Sequence, residues 1–400
     1  MRIAFLNTYC NGSTGRIISS LKQVCQSNGI EVLSIFSRGN VPNLDDKSIR
    51  CFNKVEFYLD GLFTRLFDNH GRNNHYNTQR IISLLADFKP DIIHIHNLHG
   101  YWINYKMLFE YIKENNIKVI WTFHDCWNFT GHCTHFDFIG CDKWKKGCSH
   151  CKQLKEYPAC CGPDRTKKNY FEKRQAFTSI EKAIIVTPSH WLKTKVEESF
   201  LSSYQIEVIN NGIDTSIFKP MPDAELRDKI LKKGYTKIVL GVAATWNERK
   251  GLKDIIAIAN KEPHWFFVAI GDIPDKKEPI TVNNNVLFIK RTENVYELVK
   301  WYSSADVFVN PTLEDTYPTT NLESIACGTP VITYPTGGSV EIIEHFGYGL
   351  FTEEKSSESL NNSIHALFKS PLPQRKYDYS LNAEDKFTEY LSLYNRLYSF

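Results

Sequence analysis

The chain has 400 residues, 42% hydrophobic and 23% charged, with a formal net charge of +3. A single core stops growing near roughly 250–300 residues, so two folded domains are expected, and the balance excludes a disordered or collagen-like chain. No run approaches the roughly 18 apolar residues of a membrane span, and the apolar run Ile3–Leu6 is too short for a signal-peptide core, so a cytoplasmic protein is expected.

Short β-branched runs alternate with helix-length amphipathic segments, the pattern of βαβ units and parallel sheets. In the first half, strands are predicted at 2–6, 31–36, 91–96, 117–123 and 183–187, with helices at 15–27, 79–88, 103–115, 168–182 and 190–200. The loop after the first strand carries Gly12 and Gly15, which permit close backbone approach to a ligand. His94 and His96 share one face of the third strand, and His99 falls in the loop beyond. With no acid or thiol close in sequence, these three read as polar contacts rather than metal ligands. His124 and Asp125 sit at the carboxyl edge of the next strand, where parallel sheets contact ligands.

Seven of the eleven cysteines fall between Cys126 and Cys161. Cys133, Cys141, Cys148 and Cys151 are separated by seven, six and two residues, with Gly131, Gly140 and Gly147 supplying turns. The Cys148–Cys151 spacing is that of a zinc knuckle, so a structural zinc is the candidate, with His132, His135 or His150 able to replace a thiolate. Reduced, partly buried thiols are the rival reading. This insertion has few apolar residues of its own, which is why a metal would hold it. From Asp142 to Arg174 ten Lys or Arg face four Asp or Glu, a local +6. Lys143, Lys145, Lys146, Lys167, Lys168, Lys173 and Arg174, with Trp144 as an interfacial aromatic, would suit an anionic membrane surface.

The segment Ile206–Asp214 reads as a strand followed by Asn-Asn-Gly turn chemistry, and the alternation then restarts. Strands are predicted at 237–243, 265–270, 286–289, 306–309 and 330–333, with helices at 252–260, 294–304, 318–327 and 356–368. After the first of these strands, Arg249 and Lys250 precede Gly251 and a helix, placing fixed positive charge where a diphosphate could bind. Further on, Pro318 suits a first helical turn and Gly328 a C-terminal stop. The N–H groups of Thr319, Thr320 and Asn321 then form an anion site, and Glu323 lies one turn in, able to accept from two vicinal ribose hydroxyls. The closing helix, near 384–398, carries an apolar stripe from Phe387 to Tyr398 that must bury against something.

Pro311–Gly338, with its acidic positions Asp315 and Glu323 separated by seven residues and its Cys327-Gly328-Thr329-Pro330 strand entry, resembles the retaining glycosyltransferases of the GT-B fold, in particular family 4. The resemblance extends over the first loop, His124-Asp125, the Asn-Asn-Gly turn and Lys250-Gly251, and is closest to the branch that assembles bacterial capsule, exopolysaccharide or lipopolysaccharide. It differs where Asp315 replaces a Glu, Tyr317-Pro318 replaces Phe-Gly, and Ala244 or Thr245 stands in place of an upstream Arg whose charge Arg249 would supply.

The resemblance implies two doubly wound Rossmann-like domains facing across a cleft. Residues 1–209 would form the acceptor-side domain with the Cys-rich insertion 126–161, and 210–378 the nucleotide-sugar domain. A helix within 379–400 would cross back to the first domain. It further implies retaining transfer from a nucleoside-diphosphate sugar, UDP-sugar first among them, to a saccharide or lipid-linked saccharide, without a catalytic metal. Catalytic roles fall to His124 and Asp315; donor binding falls to Gly12, Gly15, Arg249, Lys250, Thr319, Thr320 and Glu323. The expected location is cytoplasmic, peripheral on the inner face of the plasma membrane. Two other readings compete: a GT-B nucleotide-sugar epimerase, and a zinc-bearing nucleic-acid-binding protein. The second leaves the phosphate-directed motifs unused, so no nucleic-acid partner is expected.

Overall fold

The computed structural model describes residues 1–39, 47–273, 283–373 and 381–399. The chain divides into two compact units, Met1–Asn210 with Glu384–Phe400, and Asn211–Ala383. The expected boundary between 378 and 379 lies outside the described residues.

The first unit is built on seven parallel strands: β1 (Arg2–Tyr9), β2 (Glu31–Arg38), β3 (Ser48–Arg50), β4 (Ile92–Ile95), β5 (Lys118–Thr122), β6 (Ala183–Thr187) and β7 (Gln205–Val208). Their order is β3-β2-β1-β4-β5-β6-β7, so the winding direction reverses between β1 and β4. Helices cover both faces, which is why β1 and β4 read as near-continuous apolar runs rather than alternating ones. The helix Glu389–Ser399 belongs to this unit: the Tyr394 hydroxyl lies 2.7 Å from His94 Nδ1, and the Tyr390 hydroxyl 3.0 Å from Thr122 Oγ1. Tyr390, Leu393, Tyr394 and Leu397 are buried there, whereas Tyr398, expected in the stripe, is 49% exposed at the helix end.

The second unit repeats the plan with β8 (Lys237–Thr245), β9 (Trp265–Asp272), β10 (Val286–Ile289), β11 (Val307–Asn310), β12 (Val331–Thr333) and β13 (Gly349–Phe351). The order is β10-β9-β8-β11-β12-β13, all parallel, reversing between β8 and β11. In doubly wound sheets ligands bind outside the strand carboxyl ends at such a reversal, because the loops on either side diverge and leave a crevice.

Four differences from the sequence reading have physical causes. The edge strands β3 and β13 are three residues each, too short to show a periodicity. Three helices, Lys54–Phe67, Ala224–Leu231 and Gly338–Phe346, have no counterpart in the sequence reading. The insertion after His124 does have a core of its own: Trp144 stacks on Phe136 with centroids 4.7 Å apart and meets Phe129 edge-on at 5.3 Å. Trp144 is 2% exposed, so it cannot serve as an interfacial aromatic. Lys173 is also buried; its Nζ donates to the carbonyls of Trp127 (2.6 Å) and Thr130 (3.1 Å) and sits 3.5 Å from the Trp127 ring centroid. A membrane surface made of these two side chains is therefore corrected: Lys173 ties the insertion to helix Thr166–Phe177, and Trp144 packs inside the insertion.

Candidate active site

The loops that leave β8 and β11 meet at the reversal of the second sheet. Gly251 makes the meeting possible: it adopts φ +72°, and a Cβ there would stand 2.3 Å from the Pro311 carbonyl oxygen. The Leu313 N–H donates to the Arg249 carbonyl at 2.8 Å. With the backbones joined, two adjacent cations face two adjacent acids. Lys250 Nζ lies 2.8 Å from Asp315 Oδ2, and Arg249 Nε lies 3.6 Å from Glu314 Oε1. Arg249 also donates to the Glu314 carbonyl at 3.3 Å. Glu314 was missed from sequence, yet the run Glu314-Asp315 opposite Arg249-Lys250 was its signal.

Beyond this loop, helix Thr319–Ala326 starts with Pro318 at its N-cap and no capping side chain; the Asn321 N–H, expected in the anion site, instead donates to the Pro318 carbonyl at 3.1 Å, which cuts that site back to the N–H groups of Thr319 and Thr320. Thr319 and Thr320 are part-exposed at that end. Glu323 is buried at 3% exposure and accepts from the Tyr302 hydroxyl at 3.1 Å on Oε2. Tyr302 thus fixes the carboxylate, a partner that sequence spacing did not reveal. Asn310 Nδ2 donates to Asn321 Oδ1 at 2.8 Å, which leaves the buried Asn321 Nδ2 without a partner among the described residues. The buried hydroxyls of Thr336 and Ser339, at the start of helix Gly338–Phe346, are likewise unpartnered there. Buried polar atoms of this kind normally find partners, so a helix start and three such groups within one unit suit a polar, phosphate-bearing ligand.

In the first unit, His124 and Asp125 follow β5. His124 Nε2 lies 2.9 Å from His96 Nδ1 in a ring stack, and His96 stacks in turn on His94. Burial pushes His124 down to about 4 against the opposing pull of Asp125, so its imidazole is neutral. Burial would raise Asp125, but the His99 ring at 2.7 Å and the Trp127 N–H outweigh it and hold the carboxyl near 2. His94, His96 and His99 thus make polar contacts, as the sequence suggested. Gly12 adopts φ +71° with open space where a Cβ would lie, whereas Gly15 is required by its own chain: a Cβ there would stand 2.4 Å from the Cys10 carbonyl carbon. Gly15 borders a cavity of about 330 Å³ also lined by Asn7, Tyr9, Cys10 and Lys22.

Cys133, Cys141, Cys148 and Cys151 line one cavity of about 20 Å³ with His132 and Trp144. Cys148 Sγ accepts from the Gly131 N–H at 3.2 Å, and the Cys133 and Cys151 thiols are hydrogen-bonded to each other. All eleven cysteines are free, and among the described residues no three His, Cys, Asp or Glu side chains are gathered as a bound metal would hold them.

Two doubly wound sheets, one with cations and a helix start at its switch point, define a Rossmann-like α/β protein. The particular family follows from sequence: residues 14–217 match the model described as Glycosyltransferase Family 4, and residues 223–385 match Glycosyl transferases group 1. The chain belongs to the family 4 glycosyltransferases. It is 26% identical over 356 residues to the putative colanic acid biosynthesis glycosyl transferase WcaC of Escherichia coli K12, covering 83% of this chain and 82% of that protein. The lipopolysaccharide core biosynthesis mannosyltransferase LpsB of Rhizobium meliloti is 25% identical over 151 residues, 34% of this chain and 42% of that one. Sucrose-phosphate synthase from Thermosynechococcus elongatus superposes with TM-score 0.70 at 16% identity, covering 100% of this chain and 99% of that one. Anabaena Alr3699/HepE in complex with UDP does so with TM-score 0.64 at 14% identity, covering 100% of both. These likenesses establish the GT-B fold. Among the described residues no helix is long and apolar enough to cross a membrane.

Proposed function

We propose that this glycosyltransferase moves a sugar from a UDP-sugar to a lipid-linked saccharide, retaining the anomeric configuration, in the assembly of a bacterial surface polysaccharide at the inner face of the plasma membrane. The names of WcaC and LpsB support the pathway class, and the UDP held by HepE supports the donor.

The observation that carries the reading is the Lys250–Asp315 pair at the switch point of the second sheet. A diphosphate leaving group gains negative charge as the glycosyl bond breaks, and preplaced cations stabilise that charge without reorganisation. Lys250, Arg249 and the amides at Thr319 and Thr320 would supply it with no catalytic metal. Glu323, held by Tyr302, would receive the ribose hydroxyls, and Asp315 would position the sugar as positive charge develops at its anomeric carbon. His124, as a neutral imidazole, would exchange hydrogen bonds with sugar hydroxyls. Gly12 and Gly15 would shape the loop after β1.

A thermal-shift screen against UDP-, GDP- and dTDP-sugars tests the reading. Stabilisation by a UDP-sugar, lost in Lys250→Ala, is expected; no stabilisation by any nucleotide sugar would sink it.

A further inference from the structure

The helix Lys54–Phe67 is inside out. Its buried face is polar, with Asp60 and Thr64 at 0% exposure and Asp68 at 1%. Its solvent face is apolar, with Val55 66%, Tyr58 63%, Leu59 43%, Leu62 49%, Phe63 38% and Leu66 46% exposed. The i, i+3, i+4, i+7 spacing of these side chains makes one continuous stripe.

The helix cannot roll to hide that stripe. Asp60 accepts from Asn73 Nδ2 at 2.7 Å, from Thr64 at 3.3 Å and from Asn74. Asp68 pairs with His132 at 2.7 Å and accepts from the Arg165 N–H at 3.1 Å. Turning the helix would strip these buried carboxylates of their partners, which costs more than the apolar burial returns. Contiguous exposed apolar surface held in place this way marks an interaction face.

Its surroundings select the partner. Lys54 and Arg65 are exposed on the helix itself, and the Arg165 guanidinium lies 5.7 Å over the Phe67 ring. The segment after Cys160 binds the helix end through Cys161 N–H to Arg65 O at 2.8 Å, and leads directly into the exposed Lys167 and Lys168. On the helix, Glu56 is spent on the N–H groups of Tyr76 and Asn77, and Asp60 is buried; Glu156 and Asp164 are the exposed acids of the adjoining segment. In a two-fold pairing of chains the same cations would face one another and repel, whereas an anionic bilayer complements them.

We propose that the apolar face of helix Lys54–Phe67, with its cationic rim, docks this protein on an anionic lipid surface. The helix lies in the interfacial plane, its aliphatic and aromatic side chains entering the headgroup–acyl boundary and its cations meeting lipid phosphates. This deepens the reading of a lipid-linked acceptor, and replaces the surface expected around Trp144 and Lys173. The test does not depend on catalysis. The whole chain is floated with vesicles of phosphatidylcholine alone or mixed with phosphatidylglycerol. Flotation with the anionic vesicles is expected, falling on the order of tenfold in Leu62→Ser/Leu66→Ser, whose fold is checked by circular dichroism. Lys167→Glu/Lys168→Glu should release at lower salt than the wild type. Absence of wild-type flotation, or equal flotation by the leucine variant, overturns the proposal. So does a dimer seen by light scattering that the leucine variant dissolves, since a second copy would then own the face. Retained thermal stabilisation of the leucine variant by UDP-sugar separates failure of docking from failure of the enzymatic reading.

Discussion

Lys250 Nζ stands 2.8 Å from Asp315 Oδ2 although the two are 65 positions apart in the chain, because β8 and β11 are neighbours in the sheet. The pair is part-exposed, with side chains 22% and 19% accessible, so it adds at most about 1 kcal/mol to stability. Its value lies in holding a cation where phosphate charge would develop. Lys250→Ala is therefore expected to lower kcat by about 100-fold with little change in Tm, and wild-type turnover should persist in EDTA. Steady-state kinetics beside a melting curve check both; near wild-type transfer by Lys250→Ala would remove the cation from the mechanism.

Gly251→Ala should cost both stability and activity. The residue is left-handed at φ +72°, worth about 1 kcal/mol against a Cβ, and the methyl would strike the Pro311 carbonyl oxygen at 2.3 Å. Relief of that clash must move the loop carrying Lys250. A variant with unchanged Tm and kcat would show that the two loops are not locked together.

Tyr302→Phe removes the hydroxyl that donates to the buried Glu323 carboxylate. Losing that hydrogen bond to a buried carboxylate should cost about 1–3 kcal/mol in stability, and a misplaced carboxylate should raise the KM for donor more than it lowers kcat. Glu323→Ala, by contrast, should lose most turnover. If the Tyr302 variant leaves donor KM untouched, Tyr302 does not position Glu323 for ligand.

The first unit should weaken in acid. Burial pushes His124 to about 4 and His94 and His96 well below their ordinary 6.5. Between pH 4 and 6.5 the unfolded chain takes up protons that the folded unit refuses, so stability falls as pH drops through this window, by on the order of 3 kcal/mol for His124 alone. Asp60 acts oppositely: burial raises it to about 6 despite donors from Asn73, Thr64 and Asn74, so the folded unit keeps its proton longer than the unfolded chain does. Three histidines outweigh one carboxyl. Calorimetry from pH 7 to 5 should show a falling Tm, and a flat profile would contradict these assignments.

The cysteine loop is the remaining proposal. Four thiols line a cavity of about 20 Å³ without being gathered as a bound metal would hold them; we propose that a structural zinc would draw in Cys133, Cys141, Cys148 and Cys151 as its thiolates. Metal analysis of protein purified without added zinc should find about one zinc per chain, lost in Cys148→Ser together with order in residues 130–160. A metal-free protein of equal stability would leave the aromatic cluster around Trp144 as what holds the loop.

Most of the architecture was legible in sequence because parallel strands buried on both faces write continuous apolar runs, as in Ile3–Leu6, and crossover helices write a 3.6-residue period. The reversal between β8 and β11 was not, since strand order leaves no local trace. Arg249, Lys250 and Glu323 could be singled out by residue type and spacing and Asp315 by the family resemblance, whereas Tyr302 became visible only when the chain folded back on itself.

Helix Lys54–Phe67 marks the same division. The sequence reading does not predict this helix, but once the segment is helical its spacing puts Tyr58, Leu62 and Leu66 on one face and Asp60, Thr64 and Asp68 on the other. Amphipathicity ordinarily turns the apolar face inward, and by that rule alone this helix would be a core element. Tertiary structure decided otherwise, because Asn73, Asn74, His132 and the Arg165 amide converge on Asp60 and Asp68. Hydrogen bonds from distant residues made the polar face the cheaper one to bury, and that choice left the apolar face for a partner outside the fold.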